Sequence, residues 1–474
     1  MSADLRLLLA EPSRIAPLDP GFRPVALGNR RYLAEVQRSG KGRPLALALE
    51  RDHGLVSLFT TEVRDDGAEL DADTRAYTER LLKFLLWQKG GWKLTVAGPK
   101  AIADHLRDTY RVGGARAFDA DIVRKVYDQD FVVEHAPDGV LPAERESASP
   151  LGGHLDGCRI GFDLGASDYK ISAVKEGTVV FTTELPWDPS VQKDPEYHYA
   201  KIREGLKLAA SKLPRVDAIG GSTAGIVVAN EIKVASLFRA VPHDLFAAKA
   251  RPIFLNLAKE WGVPFEVAND GDVTALAGGL SLRENAVLGV AMGSSEAGGW
   301  LDPQGRITGW LNELAFCPVD YSPQAAADPW SGDRGCGALY FSQQAVVKLA
   351  PAAEIALPQA HPAEQLKRVQ DLHTNGDPRA AKIFETIGVY LGHAMALYAD
   401  MYDYRHLLIL GRVTSGCGGD LIVEHARQAL AADYPEIAER VQVSLPDEKS
   451  KRVGQAVAAA SLPKRRGENA SAKP

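Results

Sequence analysis

Two short stretches combine residue types that could handle phosphate, and a third between them carries an acid. The first, GFDLGASDYK at 161–170, sets Asp163, Gly165, Ala166 and Ser167 between two apolar runs, with Lys170 at the start of the second. Small residues let a backbone approach an anion, turn N–H groups and hydroxyls donate to it, and a nearby carboxylate can hold Mg²⁺ through water. The second, VAMGSSEAGGW, offers Gly293, Ser294, Ser295, Gly298 and Gly299 for the same purpose. Neither stretch fits GxxxxGK[ST] or GxGxxG, so a Walker ATPase or a Rossmann enzyme is not supported, and either stretch alone reads as an ordinary tight turn. Between them lies PFEVANDGDVTALAGG, where Asn269 and Asp270 end an apolar run and precede a helical one. An acid at a strand's C-terminal end is where α/β folds commonly place chemistry; the plain alternative is that Asp270 or Asp272 caps the helix. GGSTAG at 220–225 falls short of the GxSxG nucleophile elbow, because Ala224 stands at the second glycine.

These residues need strands and helices to hold them. RIGFDLG, KISAVK and TVVFTTEL read as three strands, followed by a helix over about 196–212 with Tyr199, Ile202, Leu206 and Ala209 on one face, and then the strand RVDAIGGS. FEVAND, AVLGVAM, GGWLD and HLLILG are further strands, and a helix over about 380–402 has Ile383, Ile387, Leu391, Ala394 and Leu397 as its inner stripe. Upstream, RPLALALERDHGLVSLFTTEV predicts two strands about a turn at Asp52–Gly54, a helix covers about 73–88, and GGWKLTVAGP is another strand, giving β-β-α-β. The six letters LFTTEV at 58–63 echo VFTTEL at 180–185, which raises an internal repeat. Alternating helices and strands make the class α/β. Residues 139–157, rich in Pro, Gly and Ser, predict a linker, and LPKRRGENASAKP a disordered tail.

At 474 residues the chain exceeds a single core. Its net charge of −6 argues against nucleic acid or an anionic membrane as the main partner. Four cysteines suit a reducing compartment, and the lack of a signal-peptide core or a membrane-length apolar run predicts a cytoplasmic protein. Isolated residues take plain readings: His393 as a packed histidine, Trp87 and Trp92 as anchors of the N-terminal core, Cys158 and Cys417 as inert thiols.

Taken in order, the Gly/Ser turn after a strand, GSTAG, the Asn-Asp pair, the second Gly/Ser turn, LGRVTSGCGG and VGQAVAAASL resemble the ROK family of repressors and sugar kinases over roughly 159–461. The resemblance implies a two-lobed actin-like ATPase with ribonuclease H-like lobes, preceded by an N-terminal α/β domain. The division it suggests is an N-terminal domain at 1–138, a linker at 139–157, a small lobe at 158–270, a large lobe at 271–461 and a tail at 462–474. It further implies ATP-dependent phosphorylation of a sugar or sugar-like hydroxyl. In that reading Asp270 is the general base, and Asp163 organises Mg²⁺ through water. Gly165, Ala166, Ser167, Lys170, Gly293, Ser294, Ser295, Gly298, Gly299, Gly411 and Arg412 hold ATP, while Asn269 and Glu313 meet substrate hydroxyls.

The chain departs from the family pattern on the sugar side. The family's G-E-x-G-H appears as NELAF, with Phe316 at the histidine. Its cysteine motif survives only as WSGDRGCGALYFS, with Ser331 at one cysteine position, Cys336 at another and Ala338 at the glutamate. No structural zinc is therefore expected, and the substrate is expected to differ from plain glucose. The expected partners are a sugar-like small molecule and ATP, with no nucleic acid and no membrane, and a homodimer as the assembly. A non-catalytic sugar sensor, regulator or scaffold is the alternative, although family repressors carry an N-terminal helix-turn-helix and residues 1–150 do not read as one.

Overall fold

The computed structural model describes residues 5–65, 70–146, 151–165, 168–446 and 448–465. The first part of the chain forms α1 (Val25–Ser39), β1 (Gly42–Glu50), β2 (Val56–Arg64), α2 (Ala72–Lys89), β3 (Lys93–Ala97), α3 (Lys100–Tyr110), α4 (Ala117–Tyr127) and β4 (Val132–His135). The anticipated β-β-α-β core is present, with α1, α3, α4 and β4 added to it. Asp71 starts α2 by accepting from Thr74 N at 2.7 Å, and Gly90, at φ +80°, ends it. The sheet runs β2-β1-β3-β4; β1 is antiparallel to β2 and to β3, and β3 is parallel to β4.

The middle of the chain forms β5 (Cys158–Leu164), β6 (Asp168–Lys175), β7 (Thr178–Pro186), α5 (Pro195–Ala210), β8 (Ala218–Thr223), β9 (Ile226–Val228), β10 (Glu231–Val234), α6 (His243–Leu245), α7 (Ile253–Trp261), β11 (Phe265–Asn269) and α8 (Asp270–Leu282). Its five-stranded sheet runs β11-β8-β5-β6-β7, with β5, β8 and β11 mutually parallel and the hairpin strands β6 and β7 antiparallel to their neighbours. Ile160, Phe162, Ile171, Ile202, Leu206, Phe254 and Leu257 form its buried core. The remainder forms β12 (Val287–Met292), β13 (Glu296–Leu301), α9 (Gln343–Leu349), α10 (Pro362–Thr374), α11 (Pro378–Met401), β14 (His406–Leu410), α12 (Cys417–Asp433), α13 (Pro435–Ala438), β15 (Gln442–Ser444) and α14 (Glu448–Ala460), with a sheet in the order β13-β12-β14-β15.

The chain folds as two compact units whose boundaries differ from the expected division. Residues 1–147 share one unit with 290–298 and 310–445, and the second unit comprises 148–289, 299–309 and 446–474. The N-terminal segment is thus built into the first unit, and a buried ion cluster is one reason. Lys83 on α2 reaches Asp119 at 2.5 Å and Asp333 at 3.3 Å, while Arg80 and Arg116 meet the same Asp333 carboxylate at 2.8 and 2.6 Å. Lys83 is fully buried, and although burial opposes it, the Asp119 and Asp333 charges keep its ammonium protonated. Likewise the charges of Arg80, Lys83 and Arg116 hold the Asp333 carboxyl well below the usual range against its burial.

In the second unit α14 lies on the glycine face of β5 and β8. A side chain at Gly161 would collide with the Ala456 carbonyl, and one at Gly220 with that of Ala459. That close approach fixes α14 on β5 and β8, and both α14 and α8, expected in the large lobe, belong to the unit of β5. Part of the expected tail is also fixed: Leu462 is buried, Arg159 donates to the Pro463 carbonyl at 2.7 Å, and Arg465 pairs with Asp156 at 2.8 Å.

Candidate active site

In the second unit, strand register brings the acids to one edge of the sheet. Asp163 on β5 lies opposite Lys170 on β6 and Ser222 on β8, and Thr223 lies opposite both Leu164 and Asn269. Parallel β5, β8 and β11 therefore present Asp163 and the Asn269–Asp270 pair at their C-terminal ends. Asn269 is the helix cap: its Oδ1 accepts from Gly271 N at 2.7 Å, and its Nδ2 donates to Gly225 O at 2.9 Å. The capping role considered for Asp270 and Asp272 thus falls to their neighbour. Asp270 opens α8 half-buried, and burial together with the negative charge of Asp163 pushes its carboxyl up to about 7. Asp272 is buried and accepts from Trp300 N at 3.4 Å.

Gly165 is half-buried, and its carbonyl accepts from Trp187 Nε1 at 2.9 Å; Ala166 and Ser167 lie outside the described residues. Ser222, the near-elbow serine, is fully buried inside β8.

The first unit carries the second glycine turn. Gly293, Ser294 and Ser295 form the tip of the β12–β13 hairpin, closed by Gly293 N donating to Ser295 O at 3.0 Å, with both serines exposed. Gly298 and Gly299 lie within β13 and are buried. Their packing accounts for the residue type: a side chain at Gly298 would meet Leu314 and the Asn312 carbonyl, and one at Gly299, which belongs to the second unit, would strike the Gly271 carbonyl in the first turn of α8. Gly411, at φ +104°, sits against the Met292 backbone, where no side chain fits, and Arg412 is exposed on the turn that follows. Glu313 is half-buried and precedes the 3-10 turn Leu314–Phe316.

Two features of the first unit had no forewarning in the motif reading. Glu296, inside the glycine-rich stretch, is buried, accepts from the Tyr398 hydroxyl at 3.0 Å, and is pushed by burial up to about 8. Trp87 stacks on Phe316 with ring centroids 4.2 Å apart. Cys336 is buried, its thiol pushed by burial up to about 12, and lies 3.3 Å from Asp333 of the ion cluster; Ser331 donates to Asp328 at 2.8 Å. His393 is buried with Nδ1 2.9 Å from the Tyr434 hydroxyl, a packed histidine.

No protein-family model matches the chain, and no curated protein does. Solved structures do. A ROK family glucokinase from Streptomyces griseus, in complex with glucose and AMPPNP, aligns over 65% of this chain and 99% of its own at 20% identity and a TM-score of 0.50. A ROK family transcriptional regulator, a homologue of the E. coli MLC protein, aligns over 65% of this chain and 78% of its own with the same identity and score. Over about two thirds of its length the chain therefore has the α/β fold of these two ROK proteins. No helix among the described residues is long and apolar enough to cross a membrane.

Proposed function

We propose that the protein is an ATP-dependent kinase of a sugar or sugar-like hydroxyl, with Asp270 as general base. The observation that carries this reading is Asp270 itself. It is a carboxylate at the start of α8, beside Asp163, with a proton affinity tuned to about 7, in a fold that also serves a glucokinase. A base titrating near the working pH is half-ionised there and can still accept a proton as the γ-phosphoryl group arrives. Asn269 and Glu313 would hydrogen-bond substrate hydroxyls; Asn269 keeps one amide hydrogen and one lone pair beyond its two structural bonds. Gly165 and the Gly293–Ser295 tip, with Lys170, Gly411 and Arg412, would hold the nucleotide. Gly298 and Gly299 would contribute by letting β13 pack closely.

The donor set suits magnesium, which typically binds through one or two carboxylates, water and substrate phosphates. Asp163 would hold that ion, which supplies charge neutralisation when bound. Phe316 and Ala338, standing where the resemblance places a histidine and a glutamate, favour a substrate other than plain glucose. They also support a second reading, a sugar-binding regulator without turnover, consistent with the regulator that shares the fold. The test is ADP release from Mg·ATP across hexoses, amino sugars, anhydro-sugars and polyols, with Asp270→Asn alongside. Turnover with one compound, lost in the variant, is the kinase result; sugar binding without ADP release in the wild type is the regulator result.

A further inference from the structure

We propose that the N-terminal segment completes the substrate seat, with Trp87 on α2 as a positioning residue for Glu313. This rests on reading Glu313 as a ligand of substrate hydroxyls.

Glu313 stands between Asn312, whose φ is +52°, and a single 3-10 turn. A three-residue turn supplies little rigidity of its own. The missing restraint comes from the end of α2. The Asn312 amide donates to the Gln88 carbonyl and the Glu313 amide to the Trp87 carbonyl, both at 2.9 Å. Three residues beyond Glu313, the Phe316 ring lies on the Trp87 indole, 4.2 Å away with 25° between the planes. The indole is fixed in turn: its Nε1 donates to Asp119 at 2.6 Å, and Asp119 also holds Lys83. Gln88 Nε2 donates to the Met401 carbonyl at 2.6 Å, and the Tyr402 hydroxyl to Asn312 Oδ1 at 3.0 Å. Both main-chain bonds and the stack reach Glu313's segment from a part of the chain that precedes the phosphate motifs. Trp87 is 4% exposed, so it acts through the segment it supports and does not touch substrate.

A residue that only filled the core would, when lost, lower stability and affect every ligand alike. A positioning residue affects one ligand selectively. Calorimetry without turnover, on the full chain, measures both: hexoses, amino sugars, anhydro-sugars and polyols, then Mg·AMPPNP. Trp87→Leu is expected to weaken the bound sugar about tenfold or more, as Glu313→Gln does, since small misplacements of an orienting group have effects of that order. AMPPNP affinity is expected to stay within about twofold, and Trp87→Phe, which keeps a ring on Phe316, to recover most of the loss. The proposal is overturned if Trp87→Leu, folded by its melting curve, binds sugar as the wild type does, or loses sugar and nucleotide together. Should that variant fail to fold, Phe316→Leu empties the stack from the opposite side and carries the same expectation. If Glu313→Gln binds sugar normally, the role given to Glu313 falls first, by a measurement separate from the Trp87 result.

Discussion

Asp270→Asn separates what this carboxylate does for the reaction from what it does to the fold. Burial and the Asp163 charge raise its carboxyl from 3.8 to about 7. At about 1.36 kcal/mol per pH unit between those two values, the ceiling on the resulting destabilisation is about 4 kcal/mol. Asp270 retains contact with solvent, which screens the effect, so about 2 kcal/mol is the working figure. The sign follows from the two proton affinities. The unfolded chain loses this proton near 3.8 and the folded chain near 7, so the fold is unaffected below pH 3.8, loses stability as pH rises from there to 7, and changes no further above it. Asparagine has no proton to lose. The variant is therefore expected to exceed the wild type in stability by a margin that grows from pH 5 to 7 and levels off by pH 8 at about 2 kcal/mol. Denaturant unfolding of both proteins at pH 5, 6, 7 and 8 reads that margin directly. In the same preparations sugar-dependent ADP release is expected to fall roughly 10²–10⁴-fold, the usual contribution of a general base. A pH-independent margin, or a variant less stable at pH 8, would refute the electrostatic argument. Full turnover would refute the role as base.

Glu296→Gln tests a second raised carboxyl. Its proton is lost only near pH 8 in the fold, so wild-type stability falls between about pH 4.5 and 8 on its account, and the glutamine variant is expected to show a flatter stability profile from pH 6 to 9. Lys83→Met removes the cation paired with Asp119 in the interior, a loss that typically costs about 3–5 kcal/mol, read as a shift in denaturant midpoint. Gly299→Ala places a methyl against the Gly271 carbonyl; strain of about 1–3 kcal/mol and a displaced first turn of α8 are expected, with a fall in turnover larger than the stability change accounts for.

The elements that position Asp163 and Asp270 were legible because their patterns are local. Residues 196–212 and 380–402 repeat their apolar positions at helical spacing, and the observed helices are Pro195–Ala210 and Pro378–Met401. The acid at the end of FEVAND follows from a strand meeting a helix. Glycine serves two readings in the string. Gly298 and Gly299 look like phosphate-loop residues in the string, yet their surroundings demand glycine for close backbone packing inside β13. Helix α1 escaped notice because Gly28 and Asn29 interrupt its buried face. The cluster joining Lys83 to Asp333, and the stack of Trp87 on Phe316, unite residues far apart in sequence, which no local period encodes. The same holds for α14, whose place depends on Gly161 and Gly220 far upstream.

The N-terminal sheet, β2-β1-β3-β4, repeats the order β7-β6-β8-β11 of the second unit with β5 taken out. Directions agree: β8 is parallel to β5 and β5 antiparallel to β6, so β8 opposes β6 as β3 opposes β1, and β11 follows β8 as β4 follows β3. The helices α2 and α5 occupy the same place in the two series, and the echoing strings LFTTEV and VFTTEL fall on the matching edge strands β2 and β7. Among the described residues the N-terminal series has no counterpart of β5, the strand that bears Asp163. With no counterpart of Asp163 in the N-terminal sheet, an AMPPNP titration is expected to saturate at one nucleotide per chain.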